Sequence, residues 1–199
     1  WFVEEMVNHK MDGTVRTTLS SAINSCEGGR GDVIVVLPGT HSVGGTLSPK
    51  SMCRIVGLPG MLEATRLVGP AGKTFIELDN AQTVIEGLTF GMIGGESGIV
   101  VTGEGCAIRD CAFIAVSGAP TNYITVDGTV GDAGDGLVVS GCKFDTSAVS
   151  AISFVADDND QINAMTVTNC VIGGTTNGVL LPVHNASGQQ IGMASGAFA

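Results

Sequence analysis

The residues in this chain with the clearest chemical potential are acidic. Asp157-Asp158-Asn159-Asp160 puts three carboxylates within four residues, and oxygen ligands of that kind suit a hard cation such as calcium. No glycine-centred calcium loop surrounds them, so the run reads as a solvated loop tip. A second acidic loop holds Asp127, Asp132 and Asp135. Two carboxylates hydrolyse a glycosidic bond when they stand about 5 to 10 Å apart with one pKa raised. Here Gly128, Gly131, Gly134 and Gly136 make the backbone too free to preorganise such a pair. His9, His41 and His184 lie far apart, with no serine elbow or metal-ligand spacing, and read as surface or turn residues. Arg109, beside Asp110, reads as a surface ion-pair partner rather than a base. No catalytic residue, cofactor or metal ligand is assigned on this basis.

The six cysteines lack a CxxC pair or a Cys/His metal spacing. All six are expected to be reduced, as in a protein made in a cytoplasm. Cys142 and Cys170 are nevertheless expected to be close neighbours, so pairing between them stays open.

Their positions follow a repeat. The eight-residue stretches beginning at Cys53, Thr83, Cys106, Leu137 and Met165 align with one another. A period of this size points to a solenoid. Positions one and three are mostly apolar, and so are positions six and eight. Side chains on a strand alternate faces, so an odd step between apolar positions needs a corner. Position five supplies it with Gly57, Gly87, Asp110, Gly141 and Asn169, residue types that tolerate a left-handed backbone. Each copy then reads as strand, corner, strand. Stacked at about 4.8 Å, the copies build two interior ladders. One is Leu58, Leu88, Cys111, Cys142, Cys170. The other is Phe90, Phe113, Phe144, Ile172. An antiparallel sandwich would not explain a corner residue that recurs in one column.

The chain has 199 residues, enough for one substantial core. It holds 30 glycines and only 14% charged residues, which suits a turn-rich β protein. No apolar run is long enough to span a membrane. With a net charge of −10, it has no basic surface for nucleic acid. The chain opens at Trp1 rather than methionine, as expected of a processed, trimmed or internally numbered chain, and shows no signal-peptide pattern.

A short strand is expected over 1–6 and a loop over 7–13. Thr14 to Cys26 reads as an amphipathic helix with Val15, Leu19, Ala22, Ile23 and Cys26 on one face, ended by Gly28-Gly29. Such a helix would cover the open first coil. A strand over 32–38 follows. Further strands are expected over 65–68, 73–78, 98–102, 123–126, 151–155 and 178–181, giving three per turn. The organisation is thus 1–30 strand and cap, 31–182 solenoid, 183–199 extended tail.

The helix, followed by Gly29-Arg30-Gly31-Asp32-Val33-Ile34-Val35-Val36-Leu37-Pro38-Gly39-Thr40-His41, resembles the first coil of right-handed parallel β-helix proteins of the pectin-lyase-like kind. Together with Val56-Gly57-Leu58 and the Cys-Xaa-Phe rungs, it resembles β-helix proteins of tailed-bacteriophage virions. The resemblance implies an all-β, right-handed, single-stranded parallel β-helix with an N-terminal capping helix. It also implies a non-enzymatic virion protein, assembled in a host cytoplasm, that decorates the capsid or forms part of a tail or spike. Its expected partners are copies of itself, as a homotrimer, and a major capsid or other virion protein, with no cofactor. The alternative within the fold is a polysaccharide lyase or hydrolase acting as a capsule depolymerase. The resemblance would give a lyase a calcium-holding Asp cluster with an Arg base, or a galacturonase its Asn-Thr-Asp, Asp-Asp, His-Gly and Arg-Ile-Lys motifs. None of these falls on an expected strand. An adhesin would expose aromatics along one face, and this chain offers only Trp1 and Tyr123 as its Trp and Tyr.

Overall fold

The computed structural model describes residues 6–8, 16–58, 60, 62–94, 97–129, 134–145, 148–155, 164–173, 177–180 and 196–198. β1 (Met6–Asn8) runs antiparallel to β2 (Val33–Val36), with α1 (Leu19–Ser25) between them in sequence. β3 (Gly39–Ser42) completes the described strands of the opening coil. Five coils follow, each giving one strand to each of three sheets. They are β4 (Arg54–Gly57), β5 (Thr65–Val68), β6 (Ile76–Leu78); β7 (Val84–Glu86), β8 (Thr89–Met92), β9 (Ser97–Val101); β10 (Ala107–Arg109), β11 (Ala112–Ala115), β12 (Asn122–Asp127); β13 (Val138–Ser140), β14 (Lys143–Phe144), β15 (Ser150–Val155); and β16 (Met165–Thr168), β17 (Val171–Ile172), β18 (Asn177–Leu180). β19 (Gly196–Phe198) adds to the first sheet beside β16. Apart from the β1–β2 pair, all these strand pairs are parallel. The fold is a parallel β-solenoid of about five turns, and the sandwich is excluded.

The register stacks interior columns on each sheet. The first sheet stacks Ile34, Ile55, Ile85, Ile108, Val139 and Val167. The third stacks Ile76, Ile99, Ile124, Ile152 and Val179. The second stacks His41, Leu67, Phe90, Phe113, Phe144 and Ile172. Its rings lie face to face, with centroids 5.2 Å apart for Phe90–Phe113 and 5.0 Å for Phe113–Phe144. Phe75 meets Phe90 edge-on, and Tyr123 leans on both Phe113 and Phe144.

Two corner columns turn the chain. Gly87, Asp110, Gly141 and Asn169 have φ of 69°, 49°, 64° and 54°, between the first and second sheets. The amides of Gly87, Asp110 and Gly141 each donate to a carbonyl of the next coil, so the ladder runs unbroken through the corner. Gly57 differs from this expectation. It belongs to β4 and has no left-handed φ. It is glycine because a Cβ would sit 2.1 Å from the Gly87 carbonyl oxygen. The second corner column was not foreseen. Gly31, Met52, Gln82, Gly105, Gly136 and Ala164 each stand three residues before the interior column of the first sheet, and all have positive φ.

Other expectations shift. The first strand is Met6–Asn8, because Val7 lies in the pairing with β2; residues 1–5 and 9–15 lie outside the described residues. The helix is shorter than 14–26: the Thr18 hydroxyl accepts the Ser21 amide as N-cap, and Cys26 is already extended. It buries Leu19, Ala22 and Ile23, while Val15 lies outside the described residues. β3 was missed inside the Pro38-Gly39-Thr40 turn. In the first repeat copy, Gly60 does not enter the ring column. A 3-10 turn at Leu62–Ala64 delays the strand, so Leu67 takes that place and Leu58 is only half-buried. Of the expected tail, 196–198 form a strand; 181–195 lie outside the described residues.

Removing the central ring leaves a void between two neighbours. Phe113→Ala is expected to cost about 3–5 kcal/mol in urea unfolding, and Phe113→Leu clearly less. The unforeseen corner column predicts opposite signs from one geometry. Gln82→Gly, exposed with φ 58°, should gain up to about 1 kcal/mol, whereas Gly105→Ala at φ 62° should lose about 1–2 kcal/mol. Equal shifts for the two variants would contradict the corner assignment.

Candidate functional site

The acidic residues do not assemble into a described site. Asp132, Asp157, Asp158 and Asp160 lie outside the described residues, as do His9 and His184. Asp127 is engaged locally: its Oδ1 accepts the Thr129 amide at 3.1 Å and the Thr129 hydroxyl at 2.6 Å. Asp135 serves the backbone ladder, its carbonyl accepting the Gly105 amide at 2.6 Å. His41 is not a surface residue. It is 4% exposed, and Nε2 lies 2.8 Å from the Leu37 carbonyl oxygen. A carbonyl only accepts, so Nε2 carries the proton. Arg109 is exposed beside its corner. Tyr123 is fully buried. Among the described residues, no three His, Cys, Asp or Glu side chains cluster to hold a metal.

The thiols belong to the interior. Cys111 and Cys142 are buried behind the corner, and Cys170 is half-buried at the last coil. Each donates to the carbonyl two residues back, at 3.1, 3.4 and 3.4 Å, and also approaches a carbonyl of the preceding coil. All six cysteines are free. Contact with Cys111, together with burial, pushes the Cys142 thiol up; contact with Cys142 and burial push up Cys170. Burial raises Cys106.

A cavity lies instead on the outer face of the second sheet. It holds about 440 Å³, and its lining includes Glu63, Arg66, Thr89, Ala112, Ile114, Lys143 and Asp145. Register puts Arg66, Thr89, Ala112 and Lys143 in one outward column over four coils. The short Thr89 and Ala112 between two long cations make the groove. Gly91 deepens it: a Cβ there would meet Arg66 Nε at 3.2 Å. Arg66 Nε is buried without a hydrogen-bond partner. Asp145 Oδ2 accepts the Ala115 amide at 3.4 Å. The groove's two carboxylates, Glu63 and Asp145, belong to coils three rungs apart by register. The groove was illegible in sequence because its walls come from outward positions of four separate copies, where no residue type repeats.

Comparison with protein-family models, with curated proteins and with solved structures returned no match.

Cys142 and Cys170 predict an alkaline loss of stability. Their folded-state pKa values lie above the unfolded value of 9.0. Their contribution is therefore complete below pH 9 and is lost as pH rises from there through the folded values, because the unfolded chain releases protons that the native chain keeps. For buried Cys142 the slope approaches about 1.4 kcal/mol per pH unit, and half-exposed Cys170 adds less. Urea unfolding between pH 8 and 10 should show a steeper loss for the natural protein than for Cys142→Ala.

Proposed function

We propose that this chain is a non-enzymatic structural protein, a rigid solenoid component of a tailed-bacteriophage virion that associates with copies of itself and with the particle's shell. The observation that carries this reading is where the reactive side chains sit. The ladder thiols Cys111, Cys142 and Cys170, with His41 and Tyr123, are spent on the interior, and Asp127 on its own turn. A catalytic site needs such groups convergent and open to substrate. The groove on the second sheet draws its two carboxylates, Glu63 and Asp145, from coils three rungs apart. Stacked coils supply stiffness without a cofactor. The outward faces carry exposed Val116, Val149, Val155 and Val171, the last at 63% exposure, as apolar surface for association. The sequence likeness to virion β-helices supplies the particle and the threefold assembly.

The expected solution mass is near 60 kDa, three times the 20.1 kDa chain, by light scattering. Particles purified from the producing source should contain the chain at fixed copy number and show it at one symmetric place by electron microscopy. Absence from such particles, or release of reducing ends or unsaturated products from acidic glycans by the purified chain, would overturn the reading.

A further inference from the structure

Cys26 and Cys53 form a pair apart from the corner ladder. Cys26 ends α1, and Cys53 immediately precedes β4 in the next coil. Both are buried, and their sulfurs lie 3.8 Å apart, with Cys53 donating to Cys26. The Cys26 thiol in turn reaches the Ala22 carbonyl at 3.4 Å. The turn from Glu27 to Asp32 leads away from Cys26. Arg30 pairs with both Glu27 and Asp32, and the Gly29 amide donates to the Ser51 carbonyl at 3.0 Å. Gly28 and Gly29 in that turn are exposed, as is Met52 beside Cys53. A short glycine turn at the end of a solenoid is a segment that opens at low cost, which gives a small reagent access.

The hydrogen bond from Cys53 holds Cys26 below the ordinary thiol value, and Arg30 adds to this against burial and Asp32. The same bond, with burial, pushes Cys53 up. Cys26 is thus the thiol that ionises first, and a thiolate is the nucleophile in exchange.

We propose that Cys26 and Cys53 form a dithiol modification site that exchanges with low-molecular-weight disulfides and closes into a disulfide between the capping helix and the second coil. The Cys26 thiolate attacks one sulfur of the small disulfide. Its S–S bond breaks, and one thiolate leaves and takes up the proton that Cys26 lost. Cys53, after giving its proton to solvent, attacks the Cys26 sulfur of the mixed disulfide and expels the second thiolate, which is protonated. Two protein thiols are oxidised to one disulfide, and one small disulfide is reduced to two thiols. The sulfurs need only close from 3.8 Å to the roughly 2.05 Å of a disulfide. The bond would pin the end of α1 to the second coil across 27 residues of chain.

The test incubates the full chain in oxidised and reduced glutathione at graded ratios, blocks free thiols by alkylation, and maps peptides by mass spectrometry. Trypsin cuts at Arg30 and Lys50 and separates the two cysteines. The first protein disulfide to form should join Cys26 to Cys53. The melting temperature of the oxidised protein should rise by about 5–10 °C, reverse with dithiothreitol, and stay flat in Cys26→Ala and Cys53→Ala. Should either variant fail to fold, the oxidised and reduced natural protein alone decide. A disulfide forming first among Cys111, Cys142 and Cys170, a glutathione adduct that never resolves, or no rise in melting temperature on oxidation would each overturn the proposal.

Discussion

The constraint on which this structure depends is the parallel hydrogen-bond ladder. Each interior strand must pair with the coil before it and the coil after it, its amides alternating between the two, at one spacing, around the whole circuit. A chain that turns corners while keeping that spacing has few backbone choices. Left-handed residues supply them. The corner before the first sheet uses one in every coil from Gly31 to Ala164. The corner after it uses one in four consecutive coils, and the amides of Gly87, Asp110 and Gly141 keep donating upward. Five of these left-handed residues are not glycine: Met52, Gln82, Asp110, Ala164 and Asn169. Each costs about 1–2 kcal/mol, and each is held there because leaving the corner would break pairing on both sides of it.

Once the ladder is fixed, side chains have no choice of neighbour. An interior position meets the same position one coil above and below. Like residues then pack on like, and phenyl rings stack nearly parallel, at 15° and 7°. Thiols fill the narrow space behind the corner, where each finds a carbonyl of its own strand. Small, polarisable and weakly donating, cysteine suits a place too tight for leucine in every coil and too polar for alanine.

This logic explains what could be read from sequence. The columns from Thr83 onward were visible because the interior demands the same residue class at the same place, and because Gly, Asp and Asn share one backbone ability. The opening coil was harder to read. His41 takes the ring column where later coils use phenylalanine, and its Nε2 proton goes to the Leu37 carbonyl, a contact no pattern announces. The insertion ending in the 3-10 turn moved Leu67 out of the expected spacing. Met52, Gln82 and Ala164 hid the second corner, because context rather than propensity imposes their conformation. The groove was hidden for the opposite reason. Outward positions answer to no ladder partner, so Arg66, Thr89, Ala112 and Lys143 share nothing but register.

The same division between inside and outside bears on function. Inward positions are bound by stacking, and a reactive group placed there loses its reactivity to burial, as the raised thiol of Cys106 shows. Only outward columns and the coil ends remain available to meet anything else. At the first end, α1 and the antiparallel β1 cover the edge of β2. Toward the other end the interior thins, from fully buried Phe113 and Cys111 to half-buried Ile172 and Cys170. A solenoid is thus most committed in its middle coils and least at its ends. The one thiol pair outside the ladder sits at such an end, under an exposed glycine turn, where chemistry with an outside reagent does not require the stacked middle to open.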